Sequence, residues 1–124
     1  MSAENVIPGF ANLTEQECFD MSARHILTTR QKAVDGAGDC TYDGIGCAAA
    51  PFLTPAARAK LHGAWHVLAG EGEVPANNID LICRLQGCHD GTFGENFMEG
   101  WARKMRGEAA QNNLSTEVLD KAGV

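Results

Sequence analysis

The chain has 124 residues, of which 44% are hydrophobic and 21% are charged, and its formal net charge at pH 7 is −6. This length is typical of a single domain, and this composition argues against overall disorder. Nucleic-acid binding depends largely on phosphate neutralisation by lysine and arginine, so a net negative charge disfavours it. We therefore expect no nucleic-acid partner.

The apolar content and the cysteines bear on where the protein works. No apolar run approaches the roughly 20 residues that a membrane helix needs. The N-terminal stretch lacks the basic start and apolar core of a signal peptide. The cysteines number five, and in a reducing compartment such residues are typically free thiols, ligands or a nucleophile rather than disulfide partners. The sequence predicts a cytosolic protein with no membrane partner.

The N-terminal residues differ in character from the rest of the chain. Pro8 and Gly9 interrupt any regular structure, as is typical of a loosely held segment. We predict a flexible arm over residues 1–12 and a single globular, mainly helical domain over residues 13–124.

The first helix is predicted from Glu15 to about Thr29. Thr14 and Glu17 have the capping-box spacing, in which each side chain takes the backbone N–H of the other residue. Apolar residues then recur at helical intervals. The predicted inner face comprises Phe19, Ala23 and Ile26, with Leu27 as a further candidate.

A loop and a hairpin are predicted between the first two helices. Glycines and Asp35 mark residues 31–38 as loop. Residues 40–42 are compatible with a β-strand, and Asp43-Gly44 is a strong turn dipeptide. Residues 45–47 can return as a second strand, which completes a small β-hairpin.

Thr54 and Pro55 form a clear helix start, with threonine as the N-cap and proline at the first helical position. The helix is predicted over residues 55–69, before the glycines at 70 and 72. One apolar stripe runs along it: Ala57, Leu61, Ala64, Trp65 and Leu68.

Two further helices complete the predicted fold. One starts near Asn77 and Asn78 and runs to about Asp90. Thr92 and Glu95 repeat the capping-box spacing before a long helix, whose inner face comprises Phe97, Trp101, Met105 and Ala109. Ser115 is a candidate cap for a final short turn. The predicted class is mainly α, a compact bundle of about four helices with one small β-hairpin.

A thiol site is one candidate for chemistry. If residues 48–50 are helical, their backbone amides can lower the pKa of Cys47 and raise its thiolate content. His89 and Asp90 can then act as base and orienting carboxylate, following the logic of Cys–His–Asp hydrolases. Cys47 lacks the surrounding motifs of the papain and caspase groups. The alternative is that Cys47 packs in the core and His89 closes a helix.

A zinc site is a second candidate. His62 and His66 are four residues apart on a predicted helix, so their rings should leave the same face. Cys40 and Cys47 would complete a tetrahedral set. However, six residues separate the two cysteines, which is longer than the usual zinc-knuckle spacing. The alternative has both histidines flanking Trp65 on a partly solvated face. Apart from this zinc ion, we expect no cofactor.

A disulfide is a third candidate. Cys40 and Cys47 would lie on adjacent strands of the hairpin, within reach of a regulatory disulfide. No C-x-x-C motif accompanies them.

Three segments of the chain resemble motifs of a known group of proteins. They are Phe19-Asp20…Arg24-His25-Ile26-Leu27-Thr28, Cys40-Thr41-Tyr42-Asp43-Gly44…Cys47-Ala48, and Leu85-Gln86-Gly87-Cys88-His89-Asp90. This order resembles a group of small uncharacterised proteins from tailed bacteriophages and prophages. Those proteins carry a helix ending near HLLTQ, then C-x-Y-R…G-x-x-C-A-x-G, then LQ-x-x-HD. The chain departs from that pattern at Asp43, where arginine is usual, and at Ala50, where glycine is usual. The resemblance implies a phage or prophage accessory protein in the bacterial cytoplasm, and it implies no mechanism.

These observations lead to three functional hypotheses. The first is a non-enzymatic binding protein that acts on an unidentified host or viral protein. The second is a metal-binding protein or thiol-dependent enzyme centred on Cys47 and His89. The third is a structural component of the virion. The sequence leaves the oligomeric state open.

Overall fold

The computed structural model describes residues 2–33, 41–94 and 96–124. These ranges contain six α-helices and no strand, which confirms the mainly α class. The helices are α1 (Glu15–Thr29), α2 (Pro55–Lys60), α3 (Trp65–Gly70), α4 (Ile79–Asp90), α5 (Phe97–Asn112) and α6 (Glu117–Ala122). Short 3₁₀ turns lie at Ser2–Glu4, Phe10–Asn12 and Ala50–Phe52.

Helix α1 begins where its capping signal predicts. The Thr14 hydroxyl accepts the Glu17 N–H at 3.1 Å, and the Glu17 carboxylate accepts the Thr14 N–H at 2.9 Å. Arg30 ends the helix in the left-handed conformation, with φ of 53°. The buried face comprises Cys18, Phe19, Ser22, Ala23 and Ile26. Local capping chemistry thus sets this helix's start.

Helix α4 is the central element of the packing. It contacts α1, α3 and α5, while α6 packs on α1. Because α4 is covered on several sides, its buried residues are both apolar and polar: Leu81, Ile82, Leu85, Gln86, Cys88 and His89. This arrangement places Gln86 and His89 away from solvent.

The N-terminal residues pack against the core, whereas the sequence predicts a flexible arm there. The Phe10 ring is 1% exposed and lies 5.9 Å from Trp65 and 6.0 Å from Phe52, measured between ring centroids. Val6 forms an antiparallel bridge with Leu53. Burying a phenylalanine ring contributes roughly 1.5–3 kcal/mol, which favours holding this segment on the domain.

The helix predicted over residues 55–69 is interrupted. Helix α2 ends at Lys60 and α3 begins at Trp65. Leu61 and Ala64 have extended backbones, with ψ of 142° and 152°, and Gly63 has φ of 102°. An L-residue rarely adopts such a φ, so Gly63 permits the break. The interruption leaves both Leu61 and Trp65 buried.

The predicted β-hairpin is not seen. Cys40 lies outside the described residues, and residues 41–47 form turns. Arg58 Nε donates to the Tyr42 carbonyl at 3.0 Å, and Arg58 Nη2 donates to the Gly44 carbonyl at 3.1 Å. A guanidinium from α2 therefore takes the Tyr42 carbonyl, which a second strand would have paired, and the Gly44 carbonyl of the turn.

Gly46 and His25 fix the end of this turn segment. Gly46 has φ of 80°, and a Cβ there would lie 2.5 Å from Arg58 Nη2 and 2.6 Å from Ala50 Cβ. Only glycine fits this position without displacing a neighbour. His25 Nε2 donates to the Gly46 carbonyl at 2.7 Å. Burial lowers the pKa of His25, so the ring is neutral in its partly buried place.

The C-terminal helices follow the predicted order with one change in capping. The Thr92 hydroxyl donates to the Cys88 carbonyl at 2.6 Å, and Asn96 precedes the first turn of α5. Glu95, the other half of the predicted capping box, lies outside the described residues. The Ser115 hydroxyl accepts the Glu117 N–H at 3.1 Å, at the start of α6.

Candidate functional site

Gln86 and His89 define the candidate site, since both lie on the buried face of α4. They are three residues apart and thus share one side of the helix. Gln86 is 6% exposed and His89 is fully buried. The turn segment 41–47 brings Tyr42 and Cys47 to Gln86, as the hydrogen bonds show.

Gln86 connects three separate parts of the chain. Its Oε1 accepts the Trp65 N–H at 2.8 Å, and its Nε2 donates to the Tyr42 hydroxyl at 2.8 Å. The Tyr42 hydroxyl in turn donates to the Gly63 carbonyl at 2.6 Å. The two side chains thereby satisfy backbone groups that the break between α2 and α3 removes from helical hydrogen bonding.

Cys47 is a buried thiol, 2% exposed. Burial raises the pKa of Cys47 to about 11, and hydrogen bonds with the Ala49 and Ala50 backbones oppose that rise. Gln86 Nε2 lies 3.8 Å from the sulfur. The nearby amides thus lower the pKa of Cys47, as predicted, but desolvation raises it by more. Cys47 is protonated at neutral pH, whereas a nucleophilic cysteine needs the thiolate.

His89 has both ring nitrogens engaged. Its Nε2 lies 2.9 Å from the Ala33 N–H. A backbone N–H can only donate, so Nε2 is the acceptor and the proton sits on Nδ1. Nδ1–H donates to Asp90 Oδ1 at 2.8 Å. The His–Asp contact that the thiol hypothesis requires is present. However, Nε2, the nitrogen that would act as the base, accepts the Ala33 N–H. No hydrogen bond joins His89 to Cys47, both of which lie in the described part of the chain.

The structure describes three of the four residues of the zinc hypothesis, Cys47, His62 and His66. Cys40 lies outside the described residues, and Cys47 is a buried free thiol. His62 and His66 are both exposed, and His62 lies in the break between α2 and α3. The prediction that both rings leave one helix face is therefore wrong, since α2 ends before His62. Over residues 2–33, 41–94 and 96–124, no three His, Cys, Asp or Glu residues form a group that could hold a metal.

Sequence reasoning assigned no role to Gln86 or Tyr42. Gln86 follows Ile82 by four residues and precedes His89 by three, which places it on the inward stripe of α4. A glutamine on such a stripe requires buried hydrogen-bond partners. Tyr42 is the single tyrosine of the chain and supplies one of these partners. The helical register was therefore a signal for a buried polar group.

Comparison with known proteins finds no family model, no curated protein and no solved structure that matches the chain. Within the described ranges, none of the helices has the length and apolar character needed to span a membrane.

Proposed function

We propose that the chain is a small phage or prophage accessory protein that binds a host or viral protein in the bacterial cytoplasm and has no catalytic activity of its own. One observation carries this proposal. The polar side chains of the candidate site are hydrogen-bonded to the backbone: His89 accepts the Ala33 N–H, and Gln86 accepts the Trp65 N–H. The His89 ring therefore has no free nitrogen lone pair with which to act as a general base, and the Gln86 amide is neither an acid, a base nor a nucleophile.

The protein surface supports the same proposal. Phe93 is the most exposed large apolar residue of the described part of the chain, at 80%. Aromatic residues in particular are enriched at protein–protein interfaces. The resemblance to phage and prophage proteins supplies the cellular context.

The proposal is tested by affinity capture with the tagged chain from bacterial lysate, prepared with and without phage infection. We expect one partner at a stoichiometric ratio, confirmed by native mass spectrometry of the eluted complex. Bait treated beforehand with iodoacetamide should retain the partner, because the buried thiols do not form the binding surface.

Three results would contradict the proposal. Capture that recovers no stoichiometric partner from either lysate argues against a binding protein. A zinc adduct in the native mass spectrum that disappears in Cys47→Ser would support the metal-binding alternative. Recovery of the chain in purified phage particles would support the structural alternative.

A further inference from the structure

Phe93 lies in the turn between α4 and α5 and is largely exposed. Its side chain is 80% exposed, while Phe10, Phe19 and Phe52 are buried. The Lys32 ammonium lies 3.7 Å from the centre of the Phe93 ring, within the range of a cation–π contact. Burying such a ring contributes roughly 1.5–3 kcal/mol, and the fold leaves that contribution unused.

Two adjoining depressions lie beside Phe93. The first, of about 460 Å³, is lined by Phe93, Arg103 and Lys104 among others. The second, of about 490 Å³, lies along α5 and is lined by Met98, Ala102 and Arg103 among others. Arg103 and Glu99 line both depressions, so the two lie side by side. We call this combined area the α5 surface: Phe93, Met98, Ala102, Arg103 and Lys104.

The cations at the α5 surface have few carboxylate partners. Lys32 and Lys104 donate to the carbonyls of Asp90 and Gly91, at 2.9 and 2.5 Å. Arg103 makes no hydrogen bond or ion pair with any other residue that the structure describes.

Carboxylates and one paired arginine complete the charge at this face. Glu99 lies one helical turn before Arg103, and Glu95 is outside the described residues. Arg106, which lines the second depression, is paired with Asp120 at 2.8 Å. Within the described residues, Lys32, Arg103 and Lys104 have no carboxylate partner, and they lie beside an exposed ring and an apolar groove. The net charge of the chain is −6.

We propose that the α5 surface docks an acidic amphipathic segment of the partner protein. Its apolar side chains would fill the groove at Met98 and Ala102 and cover Phe93, and its carboxylates would pair with Arg103 and Lys104. This inference rests on the proposed binding function and assigns it a surface and a partner chemistry. A nucleic acid fits less well, because the chain's net negative charge repels a polyanion and the groove offers apolar contacts.

The test compares two variants whose changes of charge and apolar surface are matched. The first combines Phe93→Ser with Arg103→Glu on the α5 surface. The second combines Val67→Ser with Arg84→Glu, which alters exposed residues on α3 and α4. Circular dichroism and thermal unfolding confirm that both variants remain folded. The affinity of each for the partner captured by the wild-type chain is then measured.

We expect the α5-surface variant to raise Kd about 100-fold, from roughly tenfold for the lost aromatic contact and tenfold for the reversed charge. The matched variant should stay within about threefold of wild type. A synthetic peptide with leucine and glutamate on opposite helical faces should displace the partner, while the same peptide with lysine in place of glutamate should not.

Other outcomes overturn the inference in distinguishable ways. If the α5-surface variant binds the partner as tightly as wild type, the docking surface is wrong but the binding function stands. If a ten-nucleotide thymidine oligomer displaces the partner and the acidic peptide does not, the α5 surface binds nucleic acid. If the wild-type chain captures no partner, the proposed function fails and this inference fails with it.

Discussion

Cys47 should react slowly with iodoacetamide in the folded protein. Its pKa is raised to about 11, against about 8.5 for a free cysteine, so at pH 7.5 its thiolate fraction is roughly 300-fold lower. A thiolate of higher pKa is intrinsically more nucleophilic, and this recovers about one order of magnitude. The expected rate is therefore at least about 30-fold below that of N-acetylcysteine, before any effect of restricted access.

The rate is measured by timed labelling with isotope-coded iodoacetamide, denaturation, a second label and peptide mass spectrometry. Cys83, which is partly exposed, serves as the internal comparison and should label ahead of Cys47. His89→Gln keeps an oxygen that can accept the Ala33 N–H and should leave the Cys47 rate unchanged. Labelling of Cys47 as fast as N-acetylcysteine, slowed by His89→Gln, would refute the structural role and establish a Cys–His pair.

Two predictions concern stability. Gln86→Leu should lower the free energy of unfolding by about 1–3 kcal/mol, because the buried Trp65 N–H loses its acceptor; urea denaturation measures this, and the exposed Gln111→Leu is the control. A loss below about 0.5 kcal/mol would contradict it. Stability should also fall with rising pH above about 8.5. The pKa of Cys47 is higher in the folded chain, at about 11, so the unfolded chain loses this proton at a lower pH. The free energy of unfolding therefore falls by up to about 1.4 kcal/mol per pH unit until the pH passes the folded-state pKa. Thermal unfolding from pH 8 to 10.5 should show a smaller slope for Cys47→Ala than for wild type, and equal slopes would contradict the assignment.

Helix starts with local signals could be predicted from the sequence. The Thr14–Glu17 capping box begins α1, and Thr54 with Pro55 begins α2, as the structure shows. In each case the deciding hydrogen bonds lie within one helical turn, so the information is contained in a few neighbouring residues. Apolar periodicity likewise identified the buried face of α1.

The break between α2 and α3 could not be predicted in this way. The stripe from Ala57 to Leu68 has helical spacing, and Gly63 alone is tolerated within a helix at a cost of about 1 kcal/mol. The break is stabilised by two hydrogen bonds to its backbone, from Tyr42 to the Gly63 carbonyl and from the Trp65 N–H to Gln86. In each bond the two partners are 21 residues apart in sequence. Tertiary contacts here outweigh local propensity, and only the folded arrangement shows them.

The same reasoning applies to the turn segment and the N-terminal residues. Asp43 and Gly44 do lie in a turn, but Arg58 Nε takes the Tyr42 carbonyl, which a hairpin would have paired. Phe10 was a signal for packing of the N-terminal residues, since burying a large aromatic ring is favourable. Pro8 and Gly9 restrict regular structure and do not prevent such packing.

The candidate site shows why adjacent catalytic residue types are weak evidence for catalysis. His89 and Asp90 do form the expected hydrogen bond. However, a buried histidine generally needs a hydrogen-bond partner for each ring nitrogen, whether or not it is catalytic. What decides the role is the other nitrogen, which accepts the Ala33 N–H from a part of the chain 56 residues away. Irregular segments that pass through a core leave backbone groups unpaired, and buried histidine, glutamine and tyrosine side chains satisfy them at the cost of their own reactivity. The buried polar side chains Gln86 and His89 hydrogen-bond backbone groups of the fold. Phe93 and Arg103 are different, since among the described residues neither side chain hydrogen-bonds the backbone, and this favours a function at the surface.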